Sequence, residues 1–312
     1  MAVRETFSKF VATGRVKENK GLEIIQNKFE DGTPYQTIRG RFVIAVGEGE
    51  YTCEVYCNSK FKKDNHDSNS DFDNLAELST CALDTPVEVQ IRTNRFNDYV
   101  GKSGKIVTVD CLNVTRIKFL NEPVENEKFE GAIEGMLTKV VPEIRNEEET
   151  GRLKVEIVGV GYGEKALPHS LFVSADLADD FKEIYDLGSL ATFDIEIKTV
   201  VYGEQKVERT GGFGRKAEIN TGFTRPEWLV IGGDAPIDEE RVSKNGEPLY
   251  IDPKDIKALL EERDVELEQI LKESKEGRKA PKGVKGGKQS FKSMATTPSD
   301  NNPFDINANP FV

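Results

Sequence analysis

The chain is 312 residues long and carries 55 acidic against 43 basic side chains, a net charge of −12, with 37% hydrophobic and 31% charged residues. That length suits two domains with real cores, and so polar a composition leaves part of the chain exposed or unpacked. Net acidity excludes a protein that coats duplex DNA by bulk charge, but not a local basic groove, because a contact responds to the nearby potential. The longest apolar run, Phe42 to Val46, falls far short of the ~20 residues a bilayer requires, and MAVRETFSKF lacks the apolar core of a secretory signal. Neither a membrane protein nor a Sec-exported one is expected. The four cysteines accordingly read as free thiols in a reducing compartment, the cytoplasm.

In chain order, Phe10 to Lys17 reads as a strand, and EDGTP at 30–34 as a turn. Tyr35 to Val46 alternates, with Thr37, Arg39, Arg41 and Val43 on one side and Ile38, Phe42 and Ile44 on the other. Tyr51 to Asn58 is a third strand. A polar loop follows at 59–70, then a short helix from Asp71 to Leu78 with Leu75 and Leu78 inward. Val87 to Thr93 and Lys105 to Leu120 complete five strands.

After NEPVENEK the same order returns. Phe129 to Val141, Arg152 to Tyr162 and Ser170 to Ser174 are strands. Ala175 to Tyr185 is a helix with Leu177, Phe181 and Ile184 on one face. Ala191 to Tyr202 and part of Ala217 to Ile231 are the fourth and fifth strands, and VEVQIRT at 87–93 matches FDIEIKT at 193–199. Five strands with one helix between the third and fourth is the order of the OB fold, a Greek-key barrel, whereas a sandwich would show more short strands. The expected fold class is therefore mainly β, with two OB barrels over residues 1–122 and 123–236. A C-terminal amphipathic helix lies within 237–274, with the stripe Ile256, Leu259, Leu260, Leu267, Ile270 and Leu271 from Pro253 to Ser274. Residues 275–312 are too rich in Gly, Lys and Ser to bury surface, and a disordered basic tail is expected.

An OB barrel takes its ligand across strands 2–3, between the connections joining strands 1–2 and 4–5. In the first barrel that 4–5 connection is RTNRFNDYVGKSGK, with Arg92, Arg95, Lys102 and Lys105 around Phe96 and Tyr99. Arg39 and Arg41 lie on strand two beside Tyr35, and Lys60, Phe61, Lys62 and Lys63 follow strand three. The second barrel repeats the arrangement over a longer stretch. Lys198, Lys206, Arg209, Arg215, Lys216 and Arg225 alternate there with Tyr202, Phe213 and Phe223. Cations at such spacing neutralise phosphates, and rings stack on bases for about 1–3 kcal/mol each. A solvated charged hairpin whose rings cap the barrel is the competing reading. Trp228 reads as core.

On these residues the chain resembles single-stranded DNA-binding proteins of the tandem OB-fold kind found in bacteriophages, similar in design to replication protein A. The resemblance implies a non-enzymatic, sequence-nonspecific binder of single-stranded DNA in replication, recombination or repair, working in the cytoplasm of a bacterial host. The end of the chain, NNPFDINANPFV, resembles the acidic Pro-Phe tails with which bacterial single-strand binders recruit partners, which implies docking by Pro303, Phe304, Pro310 and Phe311. It departs from those tails in having only Asp300 and Asp305 as nearby acids and in placing Val312 after Phe311. A viral structural or assembly protein using OB-like barrels as interaction modules, and an RNA binder, are the alternative readings.

Other motifs point to no chemistry. Cys53 and Cys57 sit within one strand while Cys81 and Cys111 stand apart, unlike the paired ligands of a zinc ribbon, so core thiols and no metal are expected. Asp67, Asn69 and Asp71 begin like a calcium loop, but Phe72 replaces its Gly and Leu78 its bidentate Glu. GVGYG at 159–163 lacks a dinucleotide fingerprint, Gly101-Lys102-Ser103 lacks the Gly of a phosphate loop, and two histidines suggest no catalytic triad. No cofactor is expected.

Overall fold

The computed structural model describes residues 3–61, 66–145, 147–202, 206–208, 218–220 and 223–277, with backbone alone at 206–208, 218–220, 223, 276 and 277. Its first half comprises β1 (Ser8–Lys28), β2 (Pro34–Val46), β3 (Gly49–Asn58), α1 (Phe72–Glu77), β4 (Pro86–Arg92), β5 (Phe96–Val100), β6 (Ile106–Asp110) and β7 (Leu112–Phe119). On β2 Ile38, Phe42 and Ile44 are inward and Arg39 and Arg41 outward. Thr37 and Val43, expected on the side of the arginines, are instead buried, and from Phe42 to Val46 both faces are covered. β1 pairs with β2, β2 with β3, β3 in parallel with β7, β7 with β4, and β4 again with β1. The circuit closes into the five-stranded OB barrel, and Phe72, Leu75 and Leu78 of the α1 region plug one end.

The second half repeats it. β8 (Lys128–Arg145), β9 (Glu148–Gly161), β10 (Lys165–Val173), α2 (Ala178–Ile184), β11 (Leu190–Tyr202), β12 (Lys206–Glu208), β13 (Glu218–Asn220) and β14 (Phe223–Gly233) precede α3 (Pro253–Gly277). The same five pairings close the second barrel, including a parallel pair between β10 and β14. The small β5–β6 and β12–β13 hairpins both lie in the connection between the fourth and fifth barrel strands.

The two barrels are sewn together through their first strands. β1 pairs antiparallel with β8 from Ser8↔Ile133 to Thr13↔Lys128, which makes one continuous ten-stranded sheet. The approach is so close that a Cβ on Gly131 would sit 2.3 Å from the Lys9 carbonyl oxygen. Beneath this seam Phe10 meets Phe129 edge-on at 6.1 Å and Trp228 at 5.2 Å, so one buried cluster runs through both barrels.

Three further sequence expectations are corrected. The segment expected as one strand from Lys105 to Leu120 is two. β6 pairs only with β5, and at Cys111 the chain turns, its amide bonding to the Arg95 carbonyl at 3.2 Å, before β7 enters the barrel. The first strand is longer than Phe10–Lys17, because beyond Lys20 it remains paired with β2 as an arm reaching to Lys28↔Pro34. On α2 Ile184 is 52% exposed, and Tyr185 is buried in its stead. The helix ends at Ile184, and the extended backbone of Tyr185 lays its ring 5.1 Å from Phe193.

Helix α3 buries Ile256 and Leu259 in a second cluster with Met136, Val158 and Ala166, while Leu267, Ile270 and Leu271 farther along the stripe stay half-buried. Lys165 on β10 pairs with its Glu266, and its Arg263 reaches the β5–β6 hairpin of the other barrel. Among the described residues no helix is long and apolar enough to cross a membrane.

Candidate nucleic-acid interface

With Tyr51, Cys53 and Val55 turned into the first barrel, β3 presents Thr52, Glu54 and Tyr56 on its outer side, beside Arg39 and Arg41 of β2. The register sets Arg39 opposite Tyr56 and Arg41 opposite Glu54. Arg41 Nη2 donates to Glu54 at 2.8 Å, and Arg95, arriving from the connection after β4, donates to the other oxygen at 2.6 Å. Two guanidinium groups thus share one carboxylate, and the cluster keeps a net positive charge. Arg39 is paired with Glu23 across β1 at 2.7 Å. Tyr56 is 66% exposed in the middle of this face. Strand alternation alone puts it outward, but a lone ring with no cation beside it in the sequence does not signal a binding face.

Other expected positions sit differently. Tyr35 is half-buried and stacked at 4.2 Å on Phe29, which stacks in turn at 4.1 Å on His66. One face of its ring is filled by the arm's own turn. His66 Nε2 meets Asp31 at 2.9 Å. The Asp31 carboxyl is held below its ordinary range, first by the Thr33 amide, then by the Thr33 hydroxyl and His66. Phe61 is 46% exposed, and Lys60 is bridged to Ser68.

On the β5–β6 hairpin the half-buried Phe96 ring lies between the barrels, 5.2 Å from His169 and with Arg263 over it at 5.0 Å. Tyr99 is half-buried within β5, and Lys102 and Lys105 are exposed about its turn. Arg92 ends β4 exposed, with no carboxylate in ion-pair distance among the described residues.

At the second barrel Tyr202 ends β11 between two guanidinium groups, Arg145 at 4.7 Å and Arg225 at 5.2 Å from its ring centre. Arg145 also donates to the Tyr202 hydroxyl at 3.1 Å. Beneath them Arg145 and Arg152 each bridge Glu143 and Glu227, whose side chains are 9% and 4% exposed. This ring of two arginines and two glutamates is charge-balanced. Arg225 is the additional cation, its pKa lowered by burial and then by Arg145. Arg145 and Arg152 were missed because the strand-one to strand-two turn that presents them is short and carries more glutamate than arginine. Lys198 is exposed and paired with Glu196 at 2.7 Å. Lys62, Lys63, Arg209, Phe213, Arg215 and Lys216, the tail residues Pro303, Phe304, Pro310 and Phe311, and the side chains of Lys206 and Phe223 lie outside the described residues.

Cys53, Cys57 and Cys111 are buried and unbonded. Burial pushes the Cys57 and Cys111 thiols up to about 11 and that of Cys53 further. Among the described residues no three His, Cys, Asp or Glu side chains gather as a metal site.

Comparison with curated proteins yields no match. Two solved structures of the single-stranded DNA-binding protein from Thermus aquaticus are similar to the chain. A deletion variant, 10% identical, covers 77% of this chain and 98% of its own with a TM-score of 0.41. The wild type, 8% identical, covers 78% and 100% with a TM-score of 0.40. The YorF family model matches residues 8–276, from the first barrel strand to the end of the C-terminal helix, and the chain belongs to the YorF family.

Proposed function

We propose that this protein binds single-stranded DNA across both barrels, without sequence preference and without catalysis, in phage DNA replication or recombination in the cytoplasm of a bacterial host. One observation carries the reading: cations and rings recur at the same end of each barrel, beside the connection between its fourth and fifth strands. In the first barrel these are Arg41, Arg95 and Tyr56, and in the second Arg145, Arg225 and Tyr202. That end of an OB barrel, with the outer face of strands 2 and 3, is where oligonucleotides lie. Guanidinium groups would hold phosphates, and the exposed Tyr56 ring would stack on a base whatever its identity. Because β1–β8 pairing joins the barrels, engagement of the second is intramolecular once the first is bound. The finer part of the proposal gives the Asn-Pro-Phe tail the recruitment of replication partners, a reading that rests on the sequence alone.

Fluorescence anisotropy with an oligothymidylate of about thirty nucleotides, enough to span two barrels, tests this across a salt series. Affinity should fall steeply with salt and exceed that for the matched duplex. Equal affinity for duplex and single strand would remove the proposal, and tighter binding of the matched RNA would redirect it. Removal of residues 278–312 should spare strand binding and abolish capture of replication proteins.

A further inference from the structure

A cavity of about 160 Å³ opens where the barrels meet. Its floor is Ile133, Val160, Leu167 and His169, each no more than 4% exposed. Its rim is exposed and polar or aromatic, formed by Glu5, Phe7, Arg92 and Asn94. The wall from Glu5 to Ser8 is firmly held. Thr6 exchanges hydrogen bonds of 2.9 Å with the backbone of Val160, and Phe7 donates to the buried carboxylate of Glu134, which also pairs with Arg4. His169 contributes its ring to the floor. Its Nδ1 lies 3.1 Å from Asp110 Oδ1 but off the line a hydrogen bond needs, so both atoms are buried without such a partner among the described residues.

Position gives this cavity a ligand class. Asn94 on its rim precedes Arg95, which reaches Glu54 on the β2–β3 face, and Asn94 Oδ1 accepts from Asn113 of β7 at 3.0 Å. Arg92, uncommitted to any carboxylate among the described residues, stands on the same rim. A strand lying along the first barrel would therefore pass the mouth with a cation beside it. Size and lining suit a single flat, polar-edged ring, since a cavity of ~150 Å³ holds one benzene-sized ring and this one adds polar groups at its rim.

We propose that the inter-barrel cavity is a base pocket that takes one six-membered pyrimidine ring of a bound single strand, with Arg92 on the adjoining phosphate. This rests on the single-strand reading and adds to it a site off the usual barrel face. The floor supplies apolar contact, Asn94 at the rim supplies a polar group for the edge of the base, and a one-ring base matches the volume more closely than a two-ring purine. The otherwise sequence-blind protein acquires a pyrimidine preference at one position.

The test is photocrosslinking of the full chain to oligothymidylate carrying 5-iododeoxyuridine, with the attached residues mapped by mass spectrometry. Crosslinks on Phe7 or His169, beside those on Tyr56, are expected. Asn94→Trp, a bulky ring at an exposed rim position, should remove the Phe7 and His169 crosslinks and keep those on Tyr56. It should also cut oligothymidylate affinity about tenfold while hardly changing that for oligodeoxyadenylate. Leu167→Phe, which fills the cavity from its floor, should do the same. If the strand binds but crosslinks only outside the cavity, or if Phe7 and His169 crosslinks survive both variants, the pocket is overturned and strand binding stands. If the protein ignores the strand, both proposals fail.

Discussion

Arg263 of α3 lies 5.0 Å from the ring centre of Phe96 and donates to Asp98 at 2.9 Å, so the C-terminal helix grips the hairpin in the connection between the fourth and fifth strands of the first barrel. The hairpin pairs with no barrel strand, and this grip from the far end of the fold joins the Phe96–His169 contact in restraining it.

Arg263→Ala should therefore free the hairpin before it harms either barrel. The Arg263 and Asp98 side chains are 11% and 13% exposed. The expected loss is about 2 kcal/mol, below the ~3–5 of a fully buried pair. Hydrogen exchange is the discriminating measurement, with faster exchange at Phe96–Val100 and Ile106–Asp110 and none gained in β8 and β9. Unchanged hairpin amides would show that something other than α3 restrains it.

The ring of Arg145, Arg152, Glu143 and Glu227 should behave as a unit. Glu227→Ala leaves two guanidinium groups crowded beside Arg225 and should cost about 3 kcal/mol in urea unfolding. A double variant, Glu227→Met with Arg152→Met, should recover part of that loss, because Arg145 against Glu143 restores the one-to-one charge balance of the ring. Additive losses would mean that the four residues are not coupled.

Tyr56→Ala separates binding from folding. With its side chain mostly in solvent the substitution should change stability by less than ~0.5 kcal/mol. Loss of one stacking platform should lower single-strand affinity by about 1–3 kcal/mol, roughly 5- to 150-fold. Arg92→Ala should reduce the slope of log affinity against log salt by about one contact's worth. Full affinity in Tyr56→Ala would move the strand off the β2–β3 face.

Alkaline pH should loosen the first barrel. The Cys53, Cys57 and Cys111 thiols are raised by burial, so between the unfolded thiol pKa, near 8.5, and about 11 the folded state holds protons that the unfolded chain has lost. The unfolded state then binds fewer protons, and stability falls as pH rises through that window. The urea midpoint should decline from pH 9 to pH 11, and these thiols should resist alkylation at pH 8 until the protein unfolds. Rapid labelling of the native protein would contradict this.

Gly131→Ala should disturb the seam, since its new methyl group would meet the Lys9 carbonyl and Phe10 Cα at 2.3 and 2.5 Å. The expected outcome is faster exchange along Ser8–Thr13 and weaker coupling between the barrels, measured as two separated unfolding transitions. A single wild-type transition would show that β1–β8 pairing is dispensable.

Much of this molecule was legible in its sequence because the relevant signals are local. Period-two alternation in residues 35–46 set Arg39 and Arg41 opposite Ile38, Phe42 and Ile44, though it also set Thr37 and Val43 with the arginines and both are buried. Pro253 with the stripe after it marked the start of α3. Spacing says which face a side chain takes, and it did so correctly for Leu75, Leu78 and Phe181. It says nothing of what another element brings to that face. Phe96 and Tyr35 read as exposed platforms, and each meets a partner far along the chain or across a turn.

Element order, the repeat of two barrels and the sign of charge on each strand face follow from the sequence itself, since they depend on neighbours a few residues apart. Tertiary structure decided the β1–β8 seam, the grip of Arg263 on the hairpin, the glutamate that neutralises Arg41 and Arg95, and the cavity between the barrels. These meetings join groups from 13 residues apart, for Arg41 and Glu54, to 165, for Asp98 and Arg263. Such meetings are chosen by burial and charge balance in the folded chain, and those quantities do not exist until the chain has closed.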